Sequence, residues 1–175
     1  GVVLAPGLRR SRALDGAAAI WAAAPGPLRV GVFVDGAEAE LRGAGESLGL
    51  AVLQLHGREP PELLAAVRGG GGEVWKALRP RSAAELEAAV AAYAPVADGL
   101  VVDGWSAAGP GGAGAVFDWG LLERVRSALP GSLRLVVAGG LAPTNVAEAI
   151  ERLRPDVVDV SSGVERAPCE KDPER

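Results

Sequence analysis

Short runs of β-branched and apolar residues recur along the chain at 2 to 4 (VVL), 29 to 34 (RVGVFV), 50 to 55 (LAVLQL), 73 to 78 (EVWKAL), 99 to 103 (GLVVD), 133 to 139 (LRLVVAG) and 156 to 162 (DVVDVSS). Most are continuous rather than alternating, as expected of strands covered on both faces. Segments rich in Ala, Leu and Glu, with helical spacing, lie between them. Ser82 and Glu85 form a capping box before a stripe of Leu86, Val90 and Tyr93. A second stripe joins Leu122, Val125 and Leu129 and stops at Pro130-Gly131. A third segment opens with Pro143 in its first turn and predicts burial of Val146, Ile150 and Leu153.

Seven strands with six intervening helices imply parallel strands joined by right-handed crossovers. The predicted fold class is α/β, a (β/α) barrel, with an open doubly wound sheet as the structural alternative that periodicity alone leaves open. The length of 175 residues and 49% apolar content suit one domain over residues 1 to 175.

The net charge of −4 comes from interspersed charges and supplies no basic stripe, which argues against nucleic acid as a partner. Apolar stretches reach only about eight residues, against roughly 20 for a membrane span. Cys169 is the single cysteine and can form no internal disulfide, and no segment resembles a signal peptide, so a reducing cytoplasm is expected. With one His and one Cys far apart, no metal site is expected. The chain opens inside a strand without Met and closes on a polar KDPER, which predicts a fragment missing its first βα unit and its last helix.

In a barrel the chemistry lies at the C-terminal ends of the strands. Two successive ends carry Gly139-Gly140 and Ser162-Gly163, whose bare backbone N–H groups could cradle a phosphate. Asp103 closes an apolar strand before a glycine-rich loop, a placement suited to proton donation as well as to a helix cap or a structural ion pair. His56 ends another strand and could be a ligand, a proton carrier or a hydrogen-bonded strand-end residue. Arg9 and Arg10 follow the first strand.

Taken in order, VGVFV at 30 to 34, QLHG at 54 to 57, VVD at 101 to 103, GGAGAVFDW at 111 to 119, AGGLAPTNV at 138 to 146 and VDVSSGVERAP with KD between 158 and 172 resemble the phosphoribosylanthranilate isomerase family. The resemblance implies an eight-stranded barrel of which strands two to eight are present. It also implies a small-molecule phosphoribosyl substrate and an Amadori rearrangement in tryptophan biosynthesis, and it calls for no cofactor. By the same resemblance Asp103 is the general acid at the end of the family's sixth strand, and the base is a cysteine on a first strand that this chain does not contain, so residues 1 to 175 alone are expected to be inactive. Arg10 matches the arginine that meets the anthranilate carboxylate, with Arg9 as its alternative. His56 and Asp159 fall at substrate-binding positions, Asp159 near the ribose. Gly139, Gly140, Ser162 and Gly163 match the phosphate cradle, and Gly111, Gly112 and Gly114 the mobile loop. That loop departs from the family in Ala113 and Ala115, which remove a hydroxyl and an ammonium. Competing expectations are a non-catalytic sugar-phosphate binder and another phosphate barrel such as indoleglycerol-phosphate synthase, for which Lys76 is the one strand-end lysine available. Neither an oligomeric state nor a fusion partner can be read from the sequence.

Overall fold

A computed structural model of the chain describes residues 1–104, 119–126 and 129–175, apart from the side chains of residues 124 and 125. The chain divides into two compact units, Gly1–Ala77 with Pro95–Asp98, and Leu78–Ala94 with Gly99–Arg175.

The first unit holds β1 (Val2–Val3), β2 (Val30–Phe33), β3 (Val52–Leu55) and β4 (Glu73–Leu78). Each pairs in parallel with the next, Val2 opposite Gly31, Val30 opposite Val52 and Val52 opposite Glu73. Helices α1 (Leu14–Ala23), α2 (Glu38–Leu48) and α3 (Pro61–Val67) connect them. Every residue of β3 is buried, the polar Gln54 included. α2 stops at Gly49, whose φ of 59° gives the left-handed cap that glycine adopts without strain.

In the second unit β5 (Gly99–Asp103), β6 (Arg134–Ala138) and β7 (Val157–Val158) are again parallel and in chain order, with Asp103 opposite Ala138. Helices α4 (Ala83–Tyr93), α5 (Trp119–Arg126) and α6 (Val146–Leu153) pack α4 on α5 and α5 on α6. Arg152 of α6 bridges Glu123 of α5 at 2.8 Å and lies over the Trp119 ring. The chain then makes a 3-10 turn, Ser162–Val164, and an antiparallel hairpin of β8 (Glu165–Ala167) and β9 (Glu170–Lys171).

Strand order that follows chain order within each unit is the barrel arrangement; a doubly wound sheet reverses order at a switch point. The two units also share a device. Asp98 accepts a hydrogen bond from the Val74 amide at 2.9 Å, and Asp156 accepts one from the Leu135 amide at 2.7 Å. In both cases a carboxylate preceding one strand satisfies an amide of another.

Three local expectations change. The last strand shrinks from the predicted 156 to 162 to two residues, since Ser162 and Gly163 enter the 3-10 turn. Pro143 precedes α6 by a turn rather than beginning it. Ile150 is 47% exposed, and the buried face of α6 is Ala149 and Leu153. Ile150 lies about 100° around the helix from Ala149, which carries it off the packed side.

Candidate active site

Three strand ends of the second unit meet. Asp103 ends β5, and its side chain is 21% exposed. Arg79, directly after β4, places its Nε 2.9 Å from Asp103 Oδ2, an ion pair of the kind the sequence left open beside proton donation. The other carboxylate oxygen faces Gly139. A Cβ on Gly139 would come within 2.7 Å of Asp103 Oδ1 and 2.2 Å of the Gly104 nitrogen, so no side chain fits there. Gly139 and Gly140 also have φ of 83° and 67°, the region that disfavours any residue with a Cβ. The turn after β7 closes on the same loop, since a Cβ on Gly163 would lie 1.9 Å from the Leu141 carbonyl oxygen.

Asn145, at the start of α6, ties this loop down. Its Oδ1 accepts from the Ala142 amide at 2.8 Å, and its Nδ2 donates to the Gly140 carbonyl at 3.0 Å. On the far side Lys171 of β9 donates to the Ser161 carbonyl at 2.7 Å, beside Ser162. Asp159 follows β7 half-buried, its amide donating to the Val137 carbonyl of β6 at 2.9 Å. The structure therefore brings together Asp103, Gly139, Gly140, Ser162, Gly163 and, through the pairing of β6 with β7, Asp159. Gly111, Gly112, Gly114 and the alanines between them lie outside the described residues.

The first unit carries the other predicted residues at its own strand ends. Arg10 lies half-buried in the turn after β1, and Arg9 is exposed. His56 follows β3, its backbone amide donating to the Phe33 carbonyl at 2.8 Å and its Nε2 2.5 Å from Gln54 Nε2.

A buried charge cluster lies next to it. Lys76 of β4 and Glu59 are 3% and 0% exposed at the side chain, with Nζ 2.8 Å from Oε2. Lys76 also donates to the carbonyls of Gly57 at 2.8 Å and Leu55 at 3.3 Å. Glu59 Oε1 accepts from the amides of Gly57 at 3.0 Å and Asp35 at 2.9 Å. Burial works to raise the Glu59 pKa, but the hydrogen bond and charge of Lys76 and the backbone amides outweigh it and hold the carboxyl below its ordinary value. Sequence reasoning missed Glu59, Arg79 and Asn145. Only Lys76 left a signal, as a cation inside an apolar strand that must find a buried partner.

Among the described residues no group of three or more His, Cys, Asp or Glu could hold a metal ion, and no helix is long and apolar enough to cross a membrane. Cys169 sits in the β8–β9 hairpin at φ 69°, its amide donating to Glu165.

Parallel strands in chain order, with glycine turns and a carboxylate at their carboxyl ends, define an α/β protein of the TIM-barrel type. The family model for N-(5'phosphoribosyl)anthranilate (PRA) isomerase matches residues 6–175. The N-(5'-phosphoribosyl)anthranilate isomerase of Rubrobacter xylanophilus is 44% identical over 165 residues, covering 94% of this chain and 75% of the relative. The crystal structure of phosphoribosyl anthranilate isomerase from Thermotoga maritima superposes with a TM-score of 0.86 at 35% identity, covering 98% of this chain and 80% of that one. A phosphoribosyl anthranilate isomerase crystallised with reduced 1-(o-carboxyphenylamino)-1-deoxyribulose 5-phosphate matches with a TM-score of 0.82 at 32% identity, covering 98% of this chain and 79% of that one. The chain belongs to the PRA isomerase family, the isomerases of tryptophan biosynthesis.

Proposed function

We propose that these residues serve the conversion of N-(5-phosphoribosyl)anthranilate to 1-(2-carboxyphenylamino)-1-deoxyribulose 5-phosphate, with Asp103 as the general acid and the C2 base supplied from outside residues 1–175. The observation that carries this reading is the contact of three strand ends, in which the Asp103 carboxylate abuts Gly139 and the Gly139 loop abuts Gly163. Asp103 gives its proton to the ribose ring oxygen as the C1–O bond breaks, and the nitrogen lone pair forms the iminium. Loss of the C2 proton to a base then yields the enolamine, which becomes the 1-amino-ketose. Cys169 is not assigned as that base, because it lies in the hairpin beyond β7.

The phosphate lies on backbone amides of Gly139, Gly140, Ser162 and Gly163, where a Cβ is excluded at Gly139 and Gly163 and the backbone turns with positive φ at Gly139 and Gly140. Arg10 takes the anthranilate carboxylate, Asp159 the ribose hydroxyls, and His56 contributes a strand-end contact. In this reading the seven parallel strands are strands two to eight of the family's barrel, and the protein works in the cytoplasm without nucleic acid as a partner. Lys76, which indoleglycerol-phosphate chemistry would need open to substrate, is instead buried against Glu59.

Asp103→Asn keeps the shape but removes the transferable proton, so turnover should fall about 10²-fold or more while binding of the reduced product analogue is retained. Turnover within about threefold of the parent would sink the assignment.

A further inference from the structure

We propose that Arg79 is a positioning residue for the proton donor, fixing the Asp103 carboxylate and stabilising the charge left on it as the proton departs; this rests on the reading of Asp103 as the acid. Two contacts hold that carboxylate. Arg79 Nε lies 2.9 Å from Oδ2, and Oδ1 lies so near Gly139 that a Cβ there would come within 2.7 Å of it. Gly139 leaves room for the carboxylate on one side only by lacking a side chain, and Arg79 holds it on the other by a directed charge-assisted hydrogen bond. A guanidinium is suited to this because its N–H groups point in fixed directions, whereas an ammonium is a point charge on a flexible stem.

The pair is worth more during reaction than at rest. A neutral acid gains little from a cation beside it. As the proton passes to the ring oxygen, the carboxylate acquires negative charge facing the guanidinium, so the interaction strengthens on the way to the transition state. Arg79 and Asp103 are 38% and 21% exposed, so the pair is open to an approaching substrate and contributes little to folding.

The test compares Arg79→Ala, Arg79→Gln, Arg79→Lys, Asp103→Asn and Arg79→Ala/Asp103→Asn in steady-state kinetics, with titration of the reduced product analogue. Arg79→Ala and Arg79→Gln should lose roughly 10- to 100-fold in kcat with KM and analogue affinity within about threefold. Arg79→Lys should recover part of the loss, and added guanidinium ion should partly rescue Arg79→Ala. The double variant should be no slower than Asp103→Asn alone. A raised KM with unchanged kcat would make Arg79 a substrate contact and overturn the proposal, as would an Arg79→Ala enzyme of parental kcat beside a slow Asp103→Asn. If Asp103→Asn itself turns over like the parent, the acid assignment has failed, and the inference falls with it.

Discussion

Lys76 and Glu59 are two charges withdrawn from water, a placement that costs several kcal/mol per ion unless every donor and acceptor is met. Here they are met, by each other, by two carbonyls and by two amides, so the pair fastens the loops after β2 and β3 to β4. Lys76→Met leaves Glu59 buried without its cation and should destabilise by about 3–5 kcal/mol in urea titration; Lys76→Met/Glu59→Gln should lose less than the two single changes added. The pH dependence has a definite sign. The folded-state pKa of Glu59 lies below its ordinary 4.5, so its contribution is complete above that value and is lost as pH falls through the folded pKa. Urea midpoints followed from neutral pH to about pH 3 should therefore fall more steeply for the parent than for the double variant, which has no carboxylate there to protonate. Parallel acid limbs would show that Glu59 does not supply this term. The sequence made Lys76 conspicuous but left its partner hidden, because Glu59 stands 17 residues away between Arg58 and Pro60 and looks like an ordinary surface acid.

Two elements begin in different ways, and the difference predicts different losses. At α4 the Ser82 hydroxyl accepts from the Glu85 amide at 3.2 Å, half of the predicted capping box, while the Glu85 carboxylate turns to the Arg81 amide at 2.8 Å instead of reaching Ser82. At α6 Asn145 spends its side chain on the preceding loop, holding Ala142 and Gly140. Ser82→Ala should thus cost about 1 kcal/mol of stability with no effect on binding. Asn145→Ala should cost a similar amount and also weaken the reduced product analogue several-fold, because the Gly139-Gly140 turn loses its restraint. Equal analogue affinity in the two variants would uncouple Asn145 from the site. Periodicity disclosed that these helices exist. It did not disclose the angle of the buried stripe, since Val146, Ile150 and Leu153 satisfy helical spacing as well as Ala149 and Leu153 do, and only the packing of α6 on α5 selects between them.

At the scale of the molecule, continuous apolar strands alternating with helices sufficed for a parallel α/β fold, but not for the order of the strands, which depends on long-range pairing that no local pattern encodes. The barrel was read from the strand–helix repeat, with a doubly wound sheet left open, and strand pairing in chain order within each unit agrees with the barrel. The site was legible in the same uneven way. Glycines without tolerance for a side chain stood out in sequence, whereas the contact between the Gly163 turn and the Leu141 carbonyl became evident only in three dimensions. If the proposed phosphate site is right, that contact should link binding to global stability. A ligand that binds only the folded chain adds RT ln(1 + [L]/Kd), about 2.7 kcal/mol at a hundredfold excess over Kd, to the free energy of unfolding. The reduced product analogue should therefore raise the urea midpoint of the parent by that increment. Gly163→Ala places a methyl where the Leu141 oxygen stands, 1.9 Å away, and must force the two turns apart. Its stability without ligand should fall, but the decisive quantity is the increment that the analogue restores at the same concentration. If amides on both turns hold the phosphate, that increment should shrink by at least 1 kcal/mol or so, equivalent to a severalfold loss of affinity. An undiminished increment in a variant that still folds would mean that the phosphate is held elsewhere.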